Sequence, residues 1–326
     1  MTMELESVKL DARDRRLLFE LGLDSRQPLG RLAKKLKTSK EVVHYRLQKL
    51  IESGVILKLF AHFQPSALGY DTYTIFFRLE GMPAKTEGEM HEFIKNSPES
   101  AWAATLSGRF DFVVRICAKD LRGLDSFMAR FLAKFGRYIR EKQITLRTAQ
   151  KYTLSPLKIF EEFNPPKSRL TTLFSQPADV NETDKKILNA LFYYSRSSFA
   201  ELGAKAGVSP ETAKSRVEAL VKNNVITNFS CYINRRKLGF GCYKIFLTLQ
   251  YPTKERVRHL VEWCENHPCT DFMASCIGPW DLEVQFDTRS PGEFDAILKE
   301  LRNKFRDVIA EHSWALITKE TLYYWP

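Results

Sequence analysis

The stretch KTSKEVVHYRLQKLIESGVI, residues 37–56, has a counterpart in GVSPETAKSRVEALVKNNVI, residues 207–226. Few letters agree, but both have Ser at the third position, Arg at the tenth and Val-Ile at the end. The shift that aligns them is 170 residues, which also takes Asp14 to Asp184 and Gly108 to Gly278. No insertion is needed over most of the repeated unit, so the chain is a tandem duplication.

Each copy of this stretch follows two shorter segments with helical spacing. Apolar residues recur at that spacing over residues 10–23 and 29–36, and the third segment buries Val43, Leu47 and Leu50 at i, i+4 and i+7. Ser39 is placed to cap the third helix and Gly54 to end it. The second copy repeats the cap and the stripe with Ser209, Ala213, Val217 and Leu220. Three helices with a tight break before a capped third predict a helix-turn-helix.

The outer face of the third helix carries the side chains that reach phosphates and base edges in such motifs. We therefore expect DNA contacts from the polar residues of this region in both copies, which are Ser39, Lys40, His44, Tyr45, Arg46, Lys49, Ser209, Thr212, Lys214, Ser215 and Arg216. Arg46, beside the buried stripe, is expected to clamp a phosphate, whereas His44 and Tyr45 are better placed for bases. Glu211 and Glu218 repel phosphate, so the second copy is expected to bind more weakly. The alternative is a charged face that only meets solvent.

A second region follows the helices in each copy. Residues 55–63 read as a strand, Leu68-Gly69 marks a turn, and the segments after it follow the order β-α-β-β-α-β. That order predicts a ferredoxin-like domain, so the fold class is α+β, with two copies of a winged-helix-like helix-turn-helix followed by this domain. We predict helix-turn-helix domains at 1–64 and 179–234, ferredoxin-like domains at 65–154 and 235–326, and a proline-broken linker at 155–178.

Composition favours a soluble cytoplasmic protein with a polyanionic partner. The formal net charge is +11 and the pI about 9.3, with the positive charge spread along the chain. No apolar run approaches the roughly 20 residues of a membrane helix, and the first residues lack a signal-peptide core. The six cysteines include no C-x-x-C pair, and the loose group Cys264, His267, Cys269 and Cys276 fits no common zinc module. We therefore expect buried thiols, and neither a metal nor a cofactor.

The order and spacing of these motifs resemble the leucine-responsive regulator family, Lrp/AsnC. The resemblance rests on Leu10-Asp11, Asp14, Arg26, Leu32-Ala33, Ser39, Val43, Arg46, Leu50, Gly54-Val55-Ile56, Leu68-Gly69, Gly108 and Asp111. It implies that the N-terminal unit binds double-stranded DNA and that the ferredoxin-like unit is a RAM domain. RAM domains of that family pair, which implies that this chain builds the usual dimer internally and forms homo-oligomers through its RAM domains.

The resemblance also implies a small effector, often an amino acid, at interfaces between RAM domains. We expect a small polar effector at the loops 105–111 and 275–281, with the candidate residues Thr105, Gly108, Asp111, Ser275, Gly278 and Asp281. Gly lets backbone approach a ligand, and Asp pairs with an ammonium group or caps a turn. The alternative for both Gly residues is a hairpin turn with positive φ. The loops read GRFD and GPWD, so the two pockets need not accept one ligand.

The second copy departs from the family pattern at Val180-Asn181 and at Asn224, where the first copy has Leu-Asp and Gly. Two other functions stay open. One is an enzyme resembling siroheme decarboxylase, whose architecture is similar, but the His- and Tyr-rich stretch of those enzymes is missing here. No nucleophile motif or phosphate loop is present either, so we expect no enzymatic activity. The other is a metabolite sensor that does not bind DNA, which the net charge disfavours.

Overall fold

A computed structural model describes residues 8–152, 158–163, 171–172, 176–250 and 253–322. These residues form two compact units, and each unit combines segments from both copies. Unit 1 comprises the described residues up to 68, 158–163 and 177–240, and it contains both helix-turn-helix heads. Unit 2 comprises the remaining described residues and contains both ferredoxin-like domains. Head 1 and head 2 denote the helix-turn-helix of the first and the second copy.

The element order confirms the predicted helices and strands of both copies. Within the described residues the helices are α1 (Ala12–Leu23), α2 (Leu29–Leu36), α3 (Lys40–Glu52), α4 (Ala84–Lys95), α5 (Leu121–Phe135), α6 (Glu182–Tyr193), α7 (Phe199–Ala206), α8 (Pro210–Lys222), α9 (Lys254–Asn266) and α10 (Pro291–Lys304). The strands are β1 (Ile56–Phe63), β2 (Asp71–Leu79), β3 (Ser100–Gly108), β4 (Phe112–Ala118), β5 (Ile139–Tyr152), β6 (Thr171–Thr172), β7 (Ile226–Ile233), β8 (Gly241–Leu249), β9 (Thr270–Ile277), β10 (Leu282–Thr288) and β11 (Ile309–Leu322).

The departures of the second copy from the family pattern leave the backbone unchanged. Asp11 caps α1 and Asn181 caps α6, and each forms a capping box with the Asp three residues later. After the third helix, Gly54 has φ +70° and Asn224 has φ +56°. Asn is the non-glycine residue that tolerates this left-handed conformation best, so Asn224 replaces Gly without changing the turn.

The two heads are joined by an exchange of strands. β1 and β7 pair antiparallel, with Leu59 opposite Cys231. Cys231 and Ile233 of the second copy lie in the apolar core of head 1, whereas Ala61 and Ala67 of the first copy lie in the core of head 2. Each head therefore completes its core with residues of the other copy, and the heads predicted as separate domains form one folded unit.

A reciprocal pair of arginines also joins the heads. Arg26 donates hydrogen bonds to the carbonyl oxygens of Ser195 and Ser197, the second at 2.9 Å. Arg196 donates in turn to carbonyl oxygens of head 1, including that of Gln27 at 3.0 Å. Burial lowers the pKa of both guanidinium groups below the ordinary arginine value. Arg26 and Arg196 occupy the same position in the repeat, so the repeat preserves this contact between heads.

Unit 2 is organised around one closed sheet. The strand order is β2-β4-β3-β11-β8-β10-β9-β5-β6, and β5 also pairs with β2, which closes a ring of eight strands. Side chains alternate between its two faces. On β10, Leu282, Val284 and Phe286 pack with α9 and α10 on the outer face. The residues between them face inward, where a third apolar cluster includes Phe76, Phe246 and Trp280.

Two parts of the predicted linker are packed against the units. Residues Lys158–Phe163 form a short 3-10 helix, with Phe160 buried in the core of head 1 and the Phe163 ring centroid 5.2 Å from that of Phe19. Thr171 and Thr172 pair with β5 of unit 2. The linker prolines Pro156, Pro165 and Pro166 lie outside the described residues.

Candidate nucleic-acid interface and effector loops

The predicted DNA-contacting face of head 1 is accessible. Lys40, His44, Tyr45 and Lys49 are exposed on α3, and Tyr45 is 66% exposed. Val43, Leu47 and Leu50 are buried on the opposite side of the helix. A large aromatic side chain left open to solvent beside basic residues offers both a stacking surface and a hydroxyl donor. The arrangement suits contact with a phosphate backbone and the base edges beside it.

Head 2 presents the same face with different chemistry. Thr212, Lys214 and Ser215 are exposed on α8, while Ala213, Val217 and Leu220 form the buried stripe. Lys214 lies 3.9 Å from the carboxylate of Glu218 one turn later. An exposed pair of this kind contributes little to stability, but it offsets the charge that a phosphate would meet.

Arg46 and Arg216 are bound within their own heads, which differs from the phosphate clamp expected of Arg46. Arg46 Nη1 donates to Asp11 Oδ2 and to Asp14 Oδ1, both at 2.7 Å. Arg216 binds both carboxylate oxygens of Asp184, with Nε donating at 2.7 Å. Each Arg thus connects the third helix of its head to the first.

A signal for this contact is present in the sequence. Asp14 and Arg46 are 32 residues apart, and so are Asp184 and Arg216, so the duplication keeps an acid and a base at one spacing. The helix pattern alone could not reveal the contact, because it assigns Arg46 to the edge of the buried stripe without naming a partner.

Ser39 and Ser209 act as helix caps. Ser39 Oγ accepts from Val42 N at 3.3 Å, and Ser209 Oγ accepts from Thr212 N at 3.1 Å. Ser209 Oγ also lies 3.1 Å from the Thr212 hydroxyl. Capping satisfies one of the free N–H groups at the helix start, so these hydroxyls are already engaged by their own helices.

The two heads differ in charge around their second and third helices. Residues 29–52 contain seven Lys or Arg and two Glu, whereas residues 199–222 contain four Lys or Arg and three Glu. Lys35 of head 1 is engaged by the buried Glu20 and by Gln27 Oε1, the latter at 2.7 Å. Lys34, Lys40 and Lys49 are exposed and add positive potential to the face of head 1.

The glycines of the effector loops are required by close backbone packing. Gly108 has φ +125°, and a Cβ there would lie 2.8 Å from the carbonyl oxygen of Trp314. Gly278 has φ +147°, and its Cβ would lie 2.8 Å from the carbonyl oxygen of Ile144. Ile144 and Trp314 are themselves equivalent positions in the two copies. Each loop therefore packs on the last strand of the other copy, which accounts for both glycines without a ligand.

The aspartates of these loops hold the neighbouring backbone. Asp111 Oδ2 accepts from Leu79 N at 2.7 Å, and Asp281 Oδ2 accepts from Leu249 N at 2.7 Å. Among the described residues, the second oxygen of each carboxylate has no hydrogen-bond partner.

The two hydroxyl residues proposed for the effector site differ in their surroundings. The Thr105 hydroxyl donates to Glu87 Oε1 at 2.9 Å and lies 3.0 Å from His91 Nε2, so it is engaged within its own domain. Ser275 lies on β9 in the equivalent position, and its carbonyl oxygen accepts from the Thr148 hydroxyl at 3.3 Å.

Arg109 distinguishes the first loop from the second. Its guanidinium donates to both oxygens of Glu141, with Nη1 to Oε2 at 2.8 Å. These hydrogen bonds, with a further one from Gln143, lower the pKa of Glu141 from 4.5 to about 2. The equivalent position in the second loop is Pro279, which provides no such donor. The loops therefore offer different electrostatic surroundings to a ligand.

The cysteine-rich segment forms no metal site in the described part of the chain, where no group of three or more His, Cys, Asp or Glu has suitable geometry. Cys264 is fully buried, and burial raises its pKa above the ordinary thiol value. No helix among the described residues is long and apolar enough to cross a membrane.

Comparison with known families identifies both heads. The AsnC-type helix-turn-helix domain matches residues 180–221, and a winged helix-turn-helix DNA-binding family matches residues 10–56. The HTH-type transcriptional regulator FL11 of Pyrococcus horikoshii is 30% identical over 151 residues, which are 46% of this chain and 99% of that protein. The HTH-type transcriptional regulator LrpA of Bacillus subtilis is 31% identical over 112 residues, 33% of this chain and 79% of that protein.

A solved structure resembles nearly the whole chain. The siroheme decarboxylase NirDL has a TM-score of 0.64 and 12% sequence identity, and the match covers 96% of this chain and 94% of that one. At this identity the similarity concerns the fold alone. At this coverage the match extends over segments of both folded units of this chain.

Proposed function

We propose that this chain, which belongs to the Lrp/AsnC family of transcriptional regulators, binds double-stranded DNA with two heads of one folded unit. The observation that carries the proposal is the pair of capped reading helices, α3 and α8, whose polar faces are exposed while strand exchange fixes both heads in unit 1. Two reading helices in a fixed relation are what a protein needs to contact two half-sites.

We assign the DNA contacts to the exposed polar side chains of these faces. On α3 these are Lys40, His44, Tyr45 and Lys49, and on α8 they are Thr212, Lys214 and Ser215. Lysines contact phosphates as point charges, while Tyr, His, Thr and Ser supply shorter contacts to base edges. Arg46 and Arg216 support the assignment indirectly because they fix the reading helices, and Ser39 and Ser209 cap them.

Fluorescence anisotropy with a DNA duplex over a series of salt concentrations tests the proposal. The DNA upstream of the protein's own coding sequence is the first target, with a mixed-sequence duplex of equal length as the reference. We expect the affinity to fall steeply with salt, and Lys49→Ala to reduce the logarithmic salt slope by about 1. Lys142→Ala removes an exposed charge from unit 2 and serves as the matched control. No binding, or binding independent of salt, contradicts the proposal.

We further propose that the loops around Gly108 and Gly278 bind a small polar effector such as an amino acid. The support is the unpaired second oxygen of Asp111 and Asp281, which is a suitable acceptor for an ammonium group. Asp111→Asn tests this, because the amide oxygen still accepts from Leu79 N while the charge is removed. Thermal shift with a panel of amino acids should detect binding to wild type and a weaker response in the variant. No response to any amino acid counts against the effector site.

Homo-oligomers through the RAM domains are also part of the proposal. Exposed apolar side chains in unit 2 support it, since Ile277 is 62% exposed and Trp314 is 40% exposed, both beside the effector loops. Sedimentation equilibrium of wild type and of Ile277→Ser/Trp314→Ser tests it. We expect assemblies larger than one chain that dissociate in the double variant. A wild-type monomer at all concentrations contradicts it.

We propose that the protein is a cytoplasmic regulator without enzymatic activity. Relatives named transcriptional regulators support this, while the resemblance to siroheme decarboxylase is limited to the fold. Absorbance spectra of the purified protein titrated with an iron tetrapyrrole provide the test. We expect no saturable Soret shift, and a tight stoichiometric shift followed by decarboxylation would favour the enzyme.

A further inference from the structure

The inner face of the closed sheet in unit 2 contains buried charges that DNA binding does not use. Arg147 on β5 has a side chain 2% exposed, Lys244 on β8 is 3% exposed, and Glu283 on β10 is fully buried. Arg147 Nη2 donates to Glu283 Oε2 at 2.9 Å, and Lys244 Nζ lies 3.5 Å from the same oxygen. Two cations therefore share one carboxylate.

Neighbouring charged groups do not neutralise the additional positive charge of these three residues. The other charged groups that act on Lys244 are Arg115 and Glu320, one of each sign. Asp271 and Asp287 are also buried in unit 2, where both accept hydrogen bonds from Gln285 Nε2, at 2.9 Å and 3.2 Å. The group formed by Arg147, Lys244 and Glu283 thus keeps an excess of one positive charge when Lys244 is protonated. We name these three residues the inner charge cluster.

The cluster also has unused hydrogen-bond donors. Nε and Nη1 of Arg147 are buried, and neither has a hydrogen-bond partner among the described residues. A guanidinium group that is removed from water without partners for its N–H groups is unfavourable. The two donors without partners and the excess positive charge both favour binding of an anion.

Aromatic rings cover the two cations. The Phe272 ring centroid lies 4.7 Å from the guanidinium carbon of Arg147 and 4.9 Å from Lys244 Nζ. The Trp102 ring centroid lies 5.8 Å from Lys244 Nζ. Cation–π contacts stabilise the side chains, but they do not neutralise their charge. The large side chains of the inner apolar cluster restrict the space, so any additional component must be small.

The fold does not require these charges. The shift that relates the copies places Ile317 opposite Arg147 in the repeat, Thr74 opposite Lys244 and Val113 opposite Glu283. Ile317 and Val113 are buried in the inner apolar cluster. One half of the same interior is thus closed with uncharged side chains. The three charged residues therefore have no charged equivalents in the repeat. Burying them costs more free energy than burying apolar residues of similar size.

We propose that the inner charge cluster binds a small anion carrying a carboxylate or phosphate group. The unpaired N–H groups of Arg147 hold the anion, Lys244 supplies the second positive charge, and Phe272 and Trp102 enclose the site. Guanidinium N–H groups form strong, charge-assisted hydrogen bonds with the oxygens of these anions. The proposal concerns unit 2 alone and does not depend on DNA binding.

Binding is expected to be coupled to protonation of Lys244. Burial lowers the pKa of Lys244, Arg147 and Arg115 act in the same direction, and Glu283 and Glu320 act against it. Burial also raises the pKa of Glu283, but Arg147 and Lys244 outweigh it and hold that pKa below the ordinary value. A bound anion favours the charged form of Lys244, so the protein takes up a proton on binding and the affinity falls as the pH rises.

Isothermal titration and thermal unfolding of the full chain, with inorganic phosphate and succinate as separate probes, test the site at constant ionic strength. We expect saturable binding to wild type, and at least about tenfold weaker binding to Arg147→Met and to Lys244→Met. Each variant keeps one cation paired with Glu283, so both should fold. Lys142→Met removes an exposed charge from the same strand, β5, and should bind as wild type does.

Glu283→Gln is a further variant, and it is expected to increase the affinity for the anion. It removes the internal carboxylate, so both cations become available and the better probe should bind about tenfold more tightly than to wild type. The probe with the larger response identifies the anionic group that the site takes. If neither probe binds wild type saturably, or if Arg147→Met binds both probes as wild type does, the proposal is overturned.

Discussion

Head 1 and head 2 have the same internal contacts but different outer faces. In both heads the first helix is capped and an Arg of the third helix is bound to a carboxylate of the first helix. Residues of the other copy complete the core of each head. Outside, head 1 presents lysines and an exposed Tyr45, whereas head 2 presents Lys214 beside Glu218. The contacts that hold unit 1 together are thus the same in both copies, whereas the surfaces available to DNA differ.

The same contrast is present inside unit 2. Both copies pack α-helices on the outer face of the closed sheet, and both loops place a glycine against a carbonyl oxygen of the other copy. The inner face differs, because Arg147, Lys244 and Glu283 have uncharged equivalents. Duplication therefore supplied one architecture, and the two copies differ at the proposed ligand sites.

The largest expected effect concerns the Arg that joins the first and third helices. Arg216→Ala leaves Asp184 fully buried without its partner, which should lower the free energy of unfolding by about 3 kcal/mol. Arg46→Ala should cost less, about 1–2 kcal/mol, because its partners Asp11 and Asp14 are 52% and 14% exposed and keep contact with water. Urea unfolding of both variants measures the difference.

A second substitution identifies the cause of that difference. Asp184→Asn in the Arg216→Ala background removes the unpaired buried charge and should recover part of the lost stability. Asp14→Asn in the Arg46→Ala background should recover less. Similar costs for Arg46→Ala and Arg216→Ala, with no recovery in either, would show that the heads do not differ in this contact.

The arginines between the heads should behave alike, since each donates two hydrogen bonds to backbone carbonyl oxygens of the other head. Arg26→Ala and Arg196→Ala should each lower the free energy of unfolding by about 2 kcal/mol. Urea unfolding tests the equality, with Arg140→Ala, an exposed residue of unit 2, as the control. A clear difference between the two losses argues against the reciprocal role.

A smaller effect is expected at the first effector loop and depends on pH. Arg109, together with a hydrogen bond from Gln143, lowers the pKa of Glu141 from 4.5 to about 2, so the native state binds this proton less readily than the unfolded state. The pair therefore stabilises the fold above pH 4.5, and this contribution is lost as the pH falls through about 2.

Arg109→Ala tests that contribution. The stability difference between wild type and variant should be constant above the ordinary Glu pKa and shrink as the pH falls below it. NMR titration should also show the pKa of Glu141 returning towards its ordinary value in the variant. Pro279→Ala, the equivalent change in the second loop, should show no such pH dependence. A pKa of Glu141 that is equal in wild type and Arg109→Ala excludes the assigned cause.

Sequence patterns predicted the elements of the fold because those depend on local periodicity and caps. The stripe of Val43, Leu47 and Leu50 and the cap Ser39 lie within one helix, so their spacing suffices to define it. The β-α-β-β-α-β order of both copies is confirmed for the same reason. The exchange of β1 and β7 between heads was not predictable, because it depends on which copy a strand packs against.

The candidate sites were predictable only in part. Exposure of Lys40, Tyr45 and Lys49 follows from the helix pattern, but the partners of Arg46 lie on another helix. The inner charge cluster was missed because its three members lie on three different strands. Comparing the two copies position by position offered a signal, since Arg147, Lys244 and Glu283 align with the uncharged residues Ile317, Thr74 and Val113.

DNA affinity measured against salt, for two matched double variants, tests most directly whether the heads differ in function. Lys40→Gln/Lys49→Gln removes two exposed charges from head 1, and Lys214→Gln/Lys222→Gln removes two from head 2. Both are titrated with the same duplex that wild type binds. We expect the head 1 variant to lose about 2 units of logarithmic salt slope and the head 2 variant less than about 1. Equal losses, or a larger loss from head 2, would contradict the account.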